Sequence, residues 1–196
     1  MANPWLPYLV TDYIKRLKPQ SIFEWGSGES TLFFLDLKVD KVVSIEHNHN
    51  WYEKLWNKLS IRQKDNLRFI SFDQGSIGPD KANPTHYKSG STELGEVNFK
   101  RYASAIDIYG LFDLILIDGM ARASCLHHAF NHVAPGGCIV LDNTGDRPYY
   151  LEQTAHLFGN YESGWERIDF MGYGPILAYK WQTTIFINRT KADYES

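Results

Sequence analysis

Short apolar runs alternate along this chain with amphipathic segments that are typical of helices. We expect strands over Ser21–Trp25, Lys41–Glu46, Leu67–Phe72, Phe112–Ile117 and Cys138–Leu141, and a late hairpin over Trp165–Phe170 and Trp181–Ile187. We expect helices over Leu6–Leu17, from Ser30, after Asn50 as an N-cap, over Ala121–Val133 and over Arg147–Phe158. This order predicts a doubly wound α/β fold. Its mostly parallel seven-stranded sheet would have helices on both faces and an antiparallel C-terminal hairpin.

The length of 196 residues suits one domain, so we expect 1–196 to form a single unit. It would begin with a helix in 1–19 and carry a loop-rich insertion or lid over 74–101. A net charge of −3 without a basic block argues against binding to nucleic acid. No apolar run reaches membrane-spanning length, and the N-terminus does not resemble a signal peptide. We therefore expect a cytoplasmic protein that does not contact a membrane; its oligomeric state is left open.

Candidate chemistry lies where the first two predicted strands end. Glu24 precedes a Gly26-Ser27-Gly28 turn, in which the missing side chains would let a ligand approach the backbone. Glu46 ends the second strand, at a position from which a carboxylate accepts hydrogen bonds from ribose hydroxyls. His47 follows Glu46 directly, and Asp73 follows the third predicted strand. The pattern predicts a cofactor that contains a nucleoside.

The residues around the turn favour a cationic cofactor over a dinucleotide. A dinucleotide fingerprint has a third glycine where this chain has Thr31. The negative charge of Glu24 would repel a phosphate but suits a cation. S-adenosylmethionine (SAM) has no phosphate and carries an ammonium and a sulfonium group, so it fits this site better.

Three segments resemble, in the same order, motifs of the class I SAM-dependent methyltransferases. Glu24, Gly26 and Gly28 match the acidic-x-Gly-x-Gly-x-Gly pattern of their motif I, although Ser30 replaces its last glycine. The segment from Phe112 to Gly119 is similar to their strand-4 motif, and residues 133–142 are similar to the Pro-Gly-Gly turn and apolar strand 5. The resemblance covers residues 20–145. The cofactor-binding residues that it implies, together with the strand-end argument, are Glu24, Gly26, Ser27, Gly28, Ser30, Glu46, His47 and Asp73.

A finer resemblance concerns Asp118, Asp142 and Asn143. Cation-dependent O-methyltransferases of this fold, catechol-type enzymes among them, have an Asp after strand 4 and an Asp-Asn pair after strand 5. The resemblance implies that these three residues bind Mg²⁺ or another divalent cation, which would activate a substrate hydroxyl. The chain departs from those enzymes at their lysine, which is Ala121 here, while the adjacent Arg122 is a poor base. An Asp-Asn pair is also typical of a plain turn and helix cap.

The sequence thus predicts a SAM-dependent methyltransferase that O-methylates a small acceptor such as a sugar, a phenol or a natural-product intermediate. Asp118 is the candidate catalytic base if no metal is present. N-methylation remains open, and the sequence does not identify the acceptor. The alternatives are a nucleotide-dependent oxidoreductase of Rossmann type and a non-catalytic scaffold that binds the cofactor.

Overall fold

In the computed structural model, which describes residues 2–71, 87–89, 97–159 and 164–190, seven strands form one sheet. The strands are β1 (Ser21–Trp25), β2 (Lys41–Glu46), β3 (Leu67–Ser71), β4 (Phe112–Ile117), β5 (Val133–Leu141), β6 (Trp165–Gly172) and β7 (Trp181–Asn188). The α-helices are α1 (Tyr8–Leu17), α2 (Glu29–Asp36), α3 (His49–Lys58), α4 (Ile61–Asp65), α5 (Lys100–Ala103), α6 (Arg122–Ala129) and α7 (Tyr149–Phe158). Short 3-10 helices follow α5 at Ser104–Ile108 and α6 at Phe130–His132.

The strand order is β3-β2-β1-β4-β5-β7-β6, and the pairs from β3 to β5 are all parallel. The strand β7 runs antiparallel to both β5 and β6. These features confirm the predicted fold class. The order reverses between β1 and β4, and in open α/β sheets ligands bind beside the carboxyl ends of the strands at such a point.

Both faces of the sheet are covered, because the strands carry apolar side chains on both sides. Ile22 of β1 packs in the cluster that includes α1 and α2, whereas its neighbour Phe23 packs in the cluster on the opposite face. That second cluster receives α5, α6 and α7. The central strands are therefore rigidly held, and the loops at their carboxyl ends are fixed by short connections.

Several predicted helix limits are wrong: α1 begins at Tyr8 rather than Leu6, and α7 begins at Tyr149 rather than Arg147. The helix α3 begins at His49 and its N-cap is Asn48, whose Oδ1 accepts a hydrogen bond from the Trp51 amide at 3.0 Å, so Asn50 is not the cap. The helix α6 ends at Ala129 rather than Val133, because the chain is already paired with β4 from Val133.

Most of the predicted insertion at 74–101 lies outside the described residues, so the lid stays a prediction. Its last described part leads into α5 at Lys100. No helix in the described ranges is long and apolar enough to cross a membrane.

Candidate functional site

A cleft of about 320 Å³ opens at the carboxyl ends of β1, β2 and β4. Trp5 and Trp51 form one wall with ring centroids 6.3 Å apart. Seven of the residues singled out in the sequence line the cleft: Gly26, Ser27, Gly28, Ser30, Glu46, His47 and Asp118. Glu24, Asp142 and Asn143 are not among its lining residues, and Asp73 lies outside the described residues. The structure therefore brings together the turn and the ends of β2 and β4.

The two glycines of the turn have different roles. Gly26 has a φ of +92°, and a Cβ there would lie 2.6 Å from the backbone nitrogen of Gly119, in the loop after β4. Its own amide donates to the Ile45 carbonyl at 2.9 Å. Gly28 has extended backbone, and a Cβ there would meet Trp51 Nε1 at an ordinary 3.9 Å. Only at Gly26 does the fold itself demand glycine, because the β1 and β4 loops touch there.

Glu24 is fully buried beneath the turn instead of facing the cleft. Its carboxylate accepts hydrogen bonds from Ser30 Oγ, from Thr31 Oγ1 at 2.6 Å and from Ser44 Oγ at 2.6 Å. Burial raises the pKa of Glu24 to about 7, although the three hydroxyl donors lower it. The residue thus fixes the start of α2 to β2.

Glu46 is 3% exposed and its carboxylate is held by the backbone. Oε2 accepts from the Ser27 amide at 3.1 Å, and Oε1 accepts from the Asn48 amide at 2.7 Å. His47 Nδ1 also lies 2.9 Å from Oε1. An ionised carboxylate has about four acceptor positions, so Oε2 keeps one for a ligand beside the bond from the Ser27 amide. Glu46 therefore joins the turn after β1 to the loop after β2 and still presents a negative charge to a ligand.

His47 stands beside Glu46 at the edge of an aromatic cluster. Its ring packs edge-on against Phe99 at 5.9 Å and Tyr102 at 6.1 Å between centroids. Phe99 and Tyr102 come from the segment that precedes β4, and both are buried, so they support the His47 ring from behind rather than lining the cleft.

Asp118 and Asp142 end β4 and β5, and only the first reaches the cleft. The Asp118 side chain is 22% exposed, whereas Asp142 is 3% exposed and accepts hydrogen bonds from Thr183 Oγ1 and from Trp181 Nε1 at 3.0 Å. Burial and the neighbouring Asp142 raise the pKa of Asp118 to about 8, while Arg122 lowers it. Burial likewise raises the pKa of Asp142.

Arg122 joins these two carboxylates and was missed as a site residue by sequence reasoning. Its Nη2 lies 2.9 Å from Asp118 Oδ1, and its Nη1 donates to Asn143 Oδ1 at 3.1 Å and lies 4.0 Å from Asp142 Oδ2. The three residues predicted to bind a metal therefore surround a guanidinium group. One sequence signal was available: Arg122 lies four residues after Asp118, a spacing at which opposite charges meet.

No protein-family model and no curated protein sequence matches the chain. Similar solved structures include Rv0187 from MTB in a cofactor-bound form, with a TM-score of 0.64, 15% identity and coverage of 95% of this chain and 84% of that one. The O-methyltransferase TomG from Streptomyces achromogenes, solved with SAM and involved in tomaymycin synthesis, has a TM-score of 0.62 and 12% identity, with coverage of 92% and 78%. An O-methyltransferase from Bacillus cereus, solved with S-adenosylhomocysteine (SAH), has a TM-score of 0.61 and 14% identity, with coverage of 96% and 84%.

These similarities extend over nearly the whole chain. The identities are low, so they establish the architecture and leave the chemistry to be argued from the site. The chain has the Rossmann-like fold of the class I SAM-dependent methyltransferases.

Proposed function

We propose that this protein transfers the methyl group of SAM to a hydroxyl oxygen of a small acceptor. The observation that carries the proposal is the cleft itself. It places the glycine turn after β1, the carboxylate of Glu46 after β2 and the carboxylate of Asp118 after β4 around one space. The SAM and SAH complexes of proteins with the same fold support it.

On the cofactor side, the backbone around Gly26, Ser27 and Gly28 receives the amino-acid end of SAM, with Ser30 at the start of α2. Glu46 accepts a hydrogen bond from a ribose hydroxyl with the acceptor position that Oε2 keeps beside the bond from the Ser27 amide. The adenine lies against His47, which lines the cleft, and Asp73 is the proposed adenine partner. The fully buried Glu24 acts through the turn that it holds and does not touch the cofactor.

On the acceptor side, Asp118 lines the cleft together with Gly119 and Met120. The transfer is an in-line displacement in which the acceptor oxygen bonds to the methyl carbon as the carbon–sulfur bond breaks, leaving SAH. Most of the catalysis is alignment of the three atoms, which a preorganised cleft supplies. Asp118 takes the hydroxyl proton, because it is the carboxylate that faces the space where the acceptor would lie.

We propose a small acceptor that carries a hydroxyl group, such as a phenol, a sugar or a natural-product intermediate. We place the protein in the cytoplasm, where its buried free thiols, Cys125 and Cys138, would stay reduced.

An activity screen tests the proposal. The purified protein is incubated with SAM carrying a deuterated methyl group and with phenols, sugars and amines in separate pools, and the products are read by mass spectrometry. We expect label on a hydroxyl compound and none after Asp118→Asn. Label on an amine alone would overturn O-methylation. SAH binding without any transfer would favour the scaffold alternative.

A further inference from the structure

The guanidinium of Arg122 lies where a divalent cation would have to bind. Its side chain comes from the first residue of α6 and is almost completely enclosed, with the residue 8% exposed. Arginine keeps its positive charge wherever proteins are folded, so the charge at this point is fixed.

All of the donors of this guanidinium are directed at oxygen atoms. Nε donates to the Gly119 carbonyl at 3.0 Å, Nη1 donates to the Asp142 carbonyl at 2.8 Å, and Nη2 donates to the Asp118 carbonyl at 2.9 Å. Nη1 also donates to Asn143 Oδ1 at 3.1 Å, and Nη2 lies 2.9 Å from Asp118 Oδ1. The five contacts equal the five N–H groups of a guanidinium.

The predicted metal ligands do not fit a cation while Arg122 holds this position. Mg²⁺ and Ca²⁺ need oxygens at about 2.0–2.6 Å. Asp118 Oδ1 and Asn143 Oδ1 already contact the guanidinium, and Asp142 Oδ2 lies 4.0 Å from it. Asp142 Oδ1 is further occupied by Trp181 Nε1 and Thr183 Oγ1. A second positive charge among the same oxygens would also be repelled by the first.

The local backbone fixes this arrangement. Ala121 and Asn143, which follow β4 and β5, both have left-handed conformations, with φ of +47° and +59°. Such conformations are costly for a residue with a Cβ, and more so for alanine than for asparagine, so the surrounding contacts must enforce them. The turn at Ala121 directs Arg122 back under the loop that carries Asp118.

We infer that Arg122 takes the place of the divalent cation in this protein, and that the acceptor site works without a metal. Arg122 does not line the cleft. It is therefore a positioning residue: it holds the Asp118 carboxylate and joins the loops after β4 and β5. Unlike a metal, it cannot bind the acceptor oxygen, so the hydroxyl proton has no Lewis acid to weaken its bond and must pass to a protein group.

The inference rests on the proposed function for what the site does, but its test needs neither cofactor nor acceptor. Removing the guanidinium should leave three side-chain oxygens and three backbone carbonyls around an open space. That set would bind a hard cation. Trp181 contacts Asp142 directly, so Tb³⁺ bound there would luminesce when tryptophan is excited.

The experiment titrates Tb³⁺ into chelator-treated wild-type protein, Arg122→Ala and Arg122→Lys, with Ca²⁺ as competitor. We expect a saturable, Ca²⁺-competed signal in Arg122→Ala only, because lysine keeps a cation at the same place. Adding Asp142→Asn to Arg122→Ala should weaken Tb³⁺ binding at least about tenfold. The thermal midpoint of Arg122→Ala should rise with Ca²⁺, and that of the wild type should not.

Two results would overturn the inference. One is a folded Arg122→Ala that binds no Tb³⁺, since the guanidinium would then not be what excludes a cation. The other is calorimetry in which the wild-type protein binds one Mg²⁺ or Ca²⁺ and the Asp142→Asn variant binds none. This comparison tests the inference even if Arg122→Ala does not fold. Failure of the proposed function would be seen as an absence of SAH binding, whatever the cation titrations show.

Discussion

The cofactor half of the cleft, at the ends of β1 and β2, and the acceptor half, at the ends of β4 and β5, hold their carboxylates in different ways. Each has one carboxylate that lines the space and one that is buried behind it: Glu46 and Glu24 in the cofactor half, Asp118 and Asp142 in the acceptor half. In the cofactor half both carboxylates accept hydrogen bonds from uncharged donors, namely backbone amides and hydroxyl groups, and His47 Nδ1 also lies 2.9 Å from Glu46 Oε1. In the acceptor half a guanidinium contacts the carboxylates.

The difference has an electrostatic consequence. Uncharged donors stabilise a carboxylate but leave its charge in place, which suits a ligand that carries an ammonium and a sulfonium group. One guanidinium offsets one of the two carboxylate charges in the acceptor half, so this half is less suited to a cation. We therefore expect the cofactor half to bind a cation and the acceptor half to bind a neutral molecule.

The largest effect is expected from Gly26, where the two halves touch. Gly26→Ala combines a positive φ with a Cβ 2.6 Å from the Gly119 backbone, so both loops must shift. We expect a loss of roughly 3 kcal/mol in unfolding free energy and no detectable SAH binding. Urea unfolding and calorimetry measure the two quantities. Gly28→Ala is the matched control and should unfold within about 0.5 kcal/mol of wild type; equal stability of both variants would contradict the close contact.

The next effect concerns the lining carboxylate of the cofactor half. Glu46→Ala removes the proposed ribose acceptor and also releases the Ser27 and Asn48 amides, so SAH affinity should fall by roughly 1.5–3 kcal/mol. Isothermal titration reads the change. Glu29→Ala is the control, because Glu29 lines the same cleft but is paired with Lys58 at 3.3 Å. If both variants bind SAH equally well, Glu46 does not hold the ribose.

The buried carboxylate of the cofactor half should make stability depend on pH. The pKa of Glu24 is raised to about 7 in the folded protein from 4.5. The proton that Glu24 binds at low pH therefore stabilises the folded protein, and this stabilisation is lost as the pH rises through 7. Between pH 5 and pH 8 we expect the Glu24 contribution to fall by about 2 kcal/mol. Glu24→Gln should remove that part of the pH dependence in thermal unfolding, and an unchanged profile would mean that Glu24 is ionised throughout.

The smallest effect separates two roles of Asn143 in the acceptor half. Asn143→Gly keeps the left-handed backbone but loses the Oδ1 acceptor for Arg122, at a cost of about 1 kcal/mol. Asn143→Ala loses the same acceptor and also places an alanine, which has a Cβ, in the left-handed conformation, at a further cost of about 1 kcal/mol relative to glycine. Chemical denaturation compares the two, and identical values would show that the conformation carries no cost.

The same two halves differ in how far the sequence predicts them. The strands, the glycine turn and Glu46 follow from local patterns, since a buried parallel strand is a continuous apolar run and the turn needs glycine. The burial of Glu24 does not follow from a local pattern, because one of its three hydroxyl donors, Ser44, comes from the neighbouring strand β2. Local signals also misplaced the cap of α3, where Asn48 and Asn50 are equally suitable in type.

The acceptor half was predicted least well because its key contacts join distant parts of the chain. Arg122 meets Asn143 after another helix and strand, and Trp181 reaches Asp142 from β7. The conformation of Ala121 that directs Arg122 inward is not visible in the sequence, since alanine normally avoids it. The motif match alone therefore predicts a metal site and gives no sign of the guanidinium that lies among the same side chains.

The central claim is that the cleft binds SAM, and isothermal titration of the wild-type protein with SAH and with NAD⁺ tests it most directly. We predict saturable binding of one SAH per chain and no heat of binding with NAD⁺, because the cofactor half presents a carboxylate and lacks a third glycine for a pyrophosphate. Binding of NAD⁺ without SAH, or binding of neither, would contradict the account.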